Sequence, residues 1–163
     1  GSLSIAVNSV IAAQHPHIAV LNGHEIQTHG NLRAHVVLRG SYQASNYSNT
    51  QLLALKNNMD SQGVINPSVI IDASHDNCLL NGKKDPSLQP QIIFEVIKNI
   101  KNQPDLKNIV KGFMVESFLK AGHQKIDQNR FQDVDLNGLS ITDPCLSWEQ
   151  TEDMLMHLVK LIH

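Results

Sequence analysis

Ser68-Val69-Ile70-Ile71 runs on through Asp72-Ala73-Ser74 to His75, a short apolar run rich in β-branched residues that ends in ionisable and turn residues. An unbroken apolar run, as opposed to strict alternation, is the pattern of a buried strand in a parallel sheet. The arrangement occurs twice more: Ala34-His35-Val36-Val37-Leu38 ends at Arg39, and the run from Ile109 to Val115 ends at Glu116. Arg39, His75 and Glu116 follow one another at intervals of about 40 residues, room for one strand, one helix and two connections.

Helical patterns fill the intervals. Leu52, Leu55 and Met59 share one face of a segment from about Asn49 to Gln62, and Gly63 is placed to end it in a left-handed conformation. Ile93, Val96, Ile97 and Ile100 form a second stripe after Pro90, which suits a first helical turn, with Pro104 expected just beyond the end. A last helix is predicted from Ser147, where Gln150 completes a Ser-x-x-Gln capping box, with a stripe of Thr151, Leu155, Leu158 and Ile162. A further helix is expected from about Ser4 to Gln14 and a hairpin around Ala19 to Gly30, with Thr28-His29-Gly30-Asn31 reading as a hairpin or turn.

The fold class is therefore α/β. Successive βα units deliver their strand ends to one rim, and in a βα barrel that rim carries the chemistry. A closed barrel needs eight strands and about 250 residues. With three strands of that type, the chain is expected either to form an open layer structure or to borrow strands from another copy.

At 163 residues and 18.1 kDa the chain reads as a single unit, residues 1–163. A composition of 41% hydrophobic and 17% charged residues is that of a globular chain, with no apolar stretch near the roughly 20 residues a bilayer requires. Thirteen Lys and Arg against fifteen Asp and Glu leave a charge of −2, so no basic surface points to nucleic acid or an anionic membrane. Cys78 and Cys145 are too few for a disulfide scaffold, and a reducing cytoplasm is the expected setting. No secretory leader is expected, because Ser4 to Val10 is short and follows no basic stretch. Gly1-Ser2 reads as a cloning remnant, and the chain as a piece of something longer.

His75, Glu116 and Asp143 form the main constellation, one imidazole and two carboxylates after strand-like runs or in a loop entering a helix. Such a set suits a borderline divalent ion, Mn, Fe, Co or Zn, with a position left for substrate or water. Spacing alone leaves open a hydrogen-bonded loop histidine, a buried salt-bridge glutamate and a turn aspartate in Thr142-Asp143-Pro144. Arg39, beside Gly40, is placed either to grip a phosphate or carboxylate with its rigid fork or to form a structural ion pair. Lys83-Lys84 reads as a steering pair for a phosphorylated substrate or as a solvated loop. Cys78 reads as a ligand to the same ion or as a free buried thiol. His15, His17, His29, His157 and His163 show no ligand spacing, and no Gly-x-Ser-x-Gly elbow supports a serine hydrolase.

Four motifs then occur in order: Leu38-Arg39-Gly40; Ile71-Asp72-Ala73-Ser74-His75-Asp76-Asn77; Met114-Val115-Glu116-Ser117; and Ser140-Ile141-Thr142-Asp143-Pro144-Cys145 followed by Trp148-Glu149. Together they resemble the C-terminal part of class I 3-deoxy-7-phosphoheptulonate (DAHP) synthase. The resemblance covers nearly the whole chain. It implies about three βα units plus a hairpin of a TIM (β/α)8 barrel, in an enzyme that condenses phosphoenolpyruvate with erythrose 4-phosphate as the first step of the shikimate pathway. It further implies that His75, Glu116 and Asp143 are metal ligands and that Arg39 binds phosphoenolpyruvate.

The family's fourth ligand, a cysteine on the first strand, and its other phosphate-binding lysines and arginines belong to strands one to five, outside the resemblance. Ser41 replaces a second glycine, Ser45-Asn46-Tyr47 keeps only the Asn-Tyr of its loop, Cys78 to Asp85 is altered and longer, and His123 stands where Gly-Asn-Gln is usual. The expectation is a C-terminal portion of the synthase that is inactive alone and associates with itself or with a complementing barrel chain. The alternative is a non-catalytic binding or assembly module derived from the same barrel.

Overall fold

Residues 2–162 are described by a computed structural model, so Gly1 of the expected cloning remnant and His163 lie outside the described residues. α1 (Leu3–Gln14) leads into a hairpin of β1 (Ile18–Leu21) and β2 (His24–Gln27). Asn22 and Gly23, with φ of 51° and 78°, form its turn, a left-handed pair whose twist matches the strands. β3 (Val36–Leu38), α2 (Asn49–Ser61) and β4 (Val69–Asp72) follow. Next come a 3₁₀ turn over His75–Cys78, a short hairpin of β5 (Leu79–Leu80) and β6 (Lys83–Lys84), and α3 (Leu88–Ile100). α4 (Pro104–Ile109), β7 (Val110–Met114) and α5 (Trp148–Ile162) complete the elements that position the site.

The three predicted strands form one parallel sheet in the order β3-β4-β7, with Leu38 beside Ile71 and Asp72 beside Met114. Their carboxyl ends therefore lie along one rim, and a register shift between Val69 and Ile70 brings β7 into line. Val36, Leu38, Val69 and Ile71 turn one face of the sheet into a core with Val7, Leu52, Leu55, Met59 and Leu106. Each such side chain contributes about 1.5–3 kcal/mol on leaving water. α2 opens on a capping box that the sequence analysis did not identify, since Ser48 and Gln51 satisfy each other's backbone, and the predicted Gly63 follows at φ 70°. A second cluster of Ala73, Cys78, Ile92, Ile93, Leu146 and Met154 lies nearer the rim.

Three expectations need correction. Unbroken apolarity predicted strands buried on both faces, yet Val37 is 38% and Met114 41% exposed, because helices cover only one face of the sheet among the described residues. Pro104 lies beyond the end of α3 as expected and also opens α4, where its missing N–H costs nothing. Thr28-His29-Gly30-Asn31 is not the hairpin turn but the return to α1, anchored where Asn31 N donates to Ala13 O at 2.7 Å. In α5 the capping box of Ser147 and Gln150 forms as predicted, but Met154 is buried and Leu155 and Ile162 are exposed. Among the described residues no helix is long and apolar enough to cross a membrane.

The register of α5 can be tested by stability. Met154→Ala is expected to cost about 2–4 kcal/mol and Leu155→Ala under about 1 kcal/mol in chemical denaturation. Equal or reversed costs would restore the stripe read from the sequence.

Candidate metal centre

His75 is the first residue after β4 and Ala73-Ser74, and it adopts φ 48°, a left-handed conformation that costs a non-glycine residue about 1–3 kcal/mol. Its neighbours hold it there. Asp76 N donates to Arg39 O at 3.2 Å, and Cys78 Sγ donates to His75 O at 3.3 Å. Buried Asn77 donates through Nδ2 to Leu38 O and Asp72 O at 2.9 and 2.8 Å, and its Oδ1 accepts from Asn46 N at 2.9 Å. The ends of β3 and β4 are thus tied by one amide. Gly40 leaves room for the tie, because a Cβ there would stand 2.6 Å from the Asp76 carbonyl carbon.

Asp72, 1% exposed, fixes the imidazole. Its Oδ1 accepts from Ser74 N at 2.9 Å and Ser74 Oγ at 2.6 Å, while Oδ2 accepts from His75 Nδ1 at 2.7 Å. With Nδ1 engaged, Nε2 turns toward Glu116 Oε1 at 3.8 Å and Asp143 Oδ2 at 3.4 Å. Arg39 lies at the edge of the group, its Nε 3.9 Å from Asp72 Oδ2 and its side chain 60% exposed.

Glu116 stands two residues beyond β7. Its backbone is clamped by Gln89, which is fully buried near the start of α3: Glu116 N donates to Gln89 Oε1 at 2.8 Å, and Gln89 Nε2 donates to Glu116 O at 3.1 Å. Asp143 comes from the loop before α5, whose turn is held by Thr142 N donating to Ser140 Oγ at 3.2 Å. Lys84 Nζ donates to Asp143 Oδ1. This bond holds the Asp143 carboxyl below the usual carboxylate range against the opposing effect of burial, with the charges of Lys84, His75 and Arg39 adding to it.

One donor atom from each of His75, Glu116 and Asp143 lies within 4.8 Å of the others. Donors about 2.0–2.2 Å from one ion stand roughly 3–4 Å apart, so the separations from Nε2 suit a shared divalent cation. An imidazole with its second nitrogen held by a carboxylate, facing two further carboxylates, is also the donor chemistry of such a site. Cys78 does not join it; both cysteines are free and buried, and burial pushes both thiols up. His15, His17, His29 and His157 are exposed. Sequence reading assigned no part to Asp72, Asn77 or Gln89, although the Asp-Ala-Ser-His spacing carried a signal for Asp72. Of the lysine pair, Lys84 enters the site and Lys83 stays exposed.

Parallel strands that collect an imidazole and two carboxylates at their carboxyl ends define an α/β protein with a candidate divalent-cation site. The model of the DAHP synthetase I family matches residues 1–156. The chain belongs to that family, and the resemblance read from the four motifs is borne out. It is 34% identical to the Tyr-sensitive phospho-2-dehydro-3-deoxyheptonate aldolase of Salmonella typhimurium, over 98% of this chain and 43% of that protein. To the phospho-2-dehydro-3-deoxyheptonate aldolase of Corynebacterium glutamicum it is 29% identical, over 99% of this chain and 44% of that one. The solved phospho-2-dehydro-3-deoxyheptonate aldolase of Francisella tularensis superposes with a TM-score of 0.81 at 30% identity, covering 99% of this chain and 45% of its own. The chain thus spans less than half the length of these relatives.

The tie between the strand ends makes a direct prediction. Gly40→Ala, at φ 77° and against the Asp76 backbone, is expected to lower stability by at least about 2 kcal/mol in urea denaturation. An unchanged midpoint would mean that the two loops do not meet as described.

Proposed function

We propose that residues 1–163 are a single partial domain, the C-terminal portion of a (β/α)8 barrel, from a metal-dependent synthase that joins phosphoenolpyruvate to erythrose 4-phosphate. The product is 3-deoxy-7-phosphoheptulonate, at the entry to the shikimate pathway. The observation that carries this reading is the convergence of His75, Glu116 and Asp143 within 4.8 Å at the strand ends of a family member. The bare apolar face around Val37 and Met114, and the outer edges of β3 and β7 without a strand partner among the described residues, support a barrel to be completed by further strands.

In this reading His75 through Nε2, Glu116 and Asp143 hold the divalent ion, Mn, Fe, Co or Zn. When bound, the ion supplies Lewis acidity toward the aldehyde carbonyl. Asp72 keeps the imidazole in the tautomer that offers Nε2 inward. Arg39, on the adjacent strand end and open to solvent, pairs with the phosphate or carboxylate of phosphoenolpyruvate and holds it near the acceptor. Both cysteines being free, a reducing cytoplasm is the setting we propose.

These residues alone provide three donors and one substrate arginine, so the isolated chain is expected to bind metal weakly and not to turn over. In calorimetry with Mn or Zn, micromolar binding that is lost in His75→Ala supports the metal site. A coupled assay is expected to show no consumption of phosphoenolpyruvate dependent on erythrose 4-phosphate; substantial consumption would overturn the inactivity. The unpaired edges of β3 and β7 also favour a second reading, a non-catalytic module that assembles with itself or with a complementing barrel chain. Absence of metal binding together with a dimer or larger species in light scattering would favour that reading.

A further inference from the structure

The position of Lys84, the last residue of β6, is decided by the hairpin that carries it. β5 and β6 pair antiparallel, with Leu79 opposite Lys84 and Leu80 opposite Lys83. Their turn is Asn81-Gly82, with φ of 51° and 77°, a left-handed pair that suits a two-residue hairpin. The base is closed where Asp85 N donates to Cys78 O at 2.9 Å, at the end of the 3₁₀ turn that begins with His75. A defined arm thus grows from the segment that presents the imidazole, and its last side chain reaches a loop 59 residues further along the chain.

The two oxygens of Asp143 have different neighbours: Oδ1 accepts from Lys84 Nζ, and Oδ2 stands 3.4 Å from His75 Nε2. Both side chains of the ion pair are 32% exposed. The pair is partly open to water, so water can replace either partner when the other is drawn away. A divalent ion between Nε2 and Asp143 would lie one carboxylate away from that ammonium, a range at which like charges oppose each other strongly. A lysine ammonium is compact and sits on a flexible stem, so it can withdraw.

Resting on the metal-site reading above, we propose that Lys84 is a tethered counter-ion that occupies Asp143 in the absence of a divalent cation and competes with that cation for the carboxylate. Lys84 acts through Asp143 and so sets the affinity of the site. Removing its charge should tighten binding.

The test is calorimetry of Mn²⁺ with the full chain. Lys84→Met is expected to tighten binding at least ten-fold, about 1.4 kcal/mol. Lys84→Arg keeps the charge and is expected to stay within about three-fold of the parent on the same scale. Binding by Lys84→Met but not by the parent chain would support the proposal equally. Unchanged or weaker binding in Lys84→Met overturns it, while loss of binding in His75→Ala would still uphold the metal site. Binding indifferent to His75→Ala, or none in any variant, overturns both. Should Lys84→Met fail to fold, nitrogen NMR of the parent decides. The slowly exchanging Lys84 ammonium signal should be present without zinc and vanish at saturation, and its persistence at saturation contradicts the competition.

Discussion

At the carboxyl end of β4 a buried carboxylate accepts the Nδ1 proton of a histidine, and the direction of everything else in the site follows from that bond. Asp72 Oδ2 and His75 Nδ1 are 2.7 Å apart, with Asp72 1% exposed and its other oxygen already taken by Ser74. A buried carboxylate left without such partners would be costly, so the two donors that satisfy Asp72 also define where it points. The imidazole then has one free nitrogen, and it faces Glu116 and Asp143. The left-handed backbone of His75 is the strained element in this arrangement, and Asn77 and Gly40 are the residues that make it tenable.

The sheet explains why residues so far apart in the chain meet. β3, β4 and β7 run parallel and in register at their ends, so Arg39, His75 and Glu116 leave the sheet on the same side. Buried amides then replace flexible loop geometry with defined positions. Asn77 joins the exits of β3 and β4, and Gln89 fastens the exit of β7 to α3. Polar groups of this kind, fully partnered inside a core, favour one arrangement over its near alternatives.

Much of this was legible in the sequence because it depends on local chemistry. Three β-branched runs at even intervals specify parallel strands, Ser147 with Gln150 specifies a helix start, and the order of the motifs around Arg39, His75, Glu116 and Asp143 specifies the family. What escaped depends on partners remote in the chain. Gln89, just before Pro90, carries no signal of its own until Glu116 is placed beside it. Lys84 reads as solvated until Asp143 arrives from 59 residues away. The stripe of α5 was misread because helical periodicity gives two adjacent solutions, and only the neighbours of Met154 select one. Burial of both sheet faces was over-predicted for the same reason: apolarity shows that a face suits burial, not that described residues cover it.

In the reading proposed above, one cation is shared by His75 through Nε2 and by both carboxylates. Anomalous diffraction from crystals loaded with zinc tests it most directly. A single strong peak is expected about 2.0–2.2 Å from His75 Nε2 and from one oxygen each of Glu116 and Asp143. A peak on Nδ1, or at exposed histidines with none between these three side chains, would contradict it.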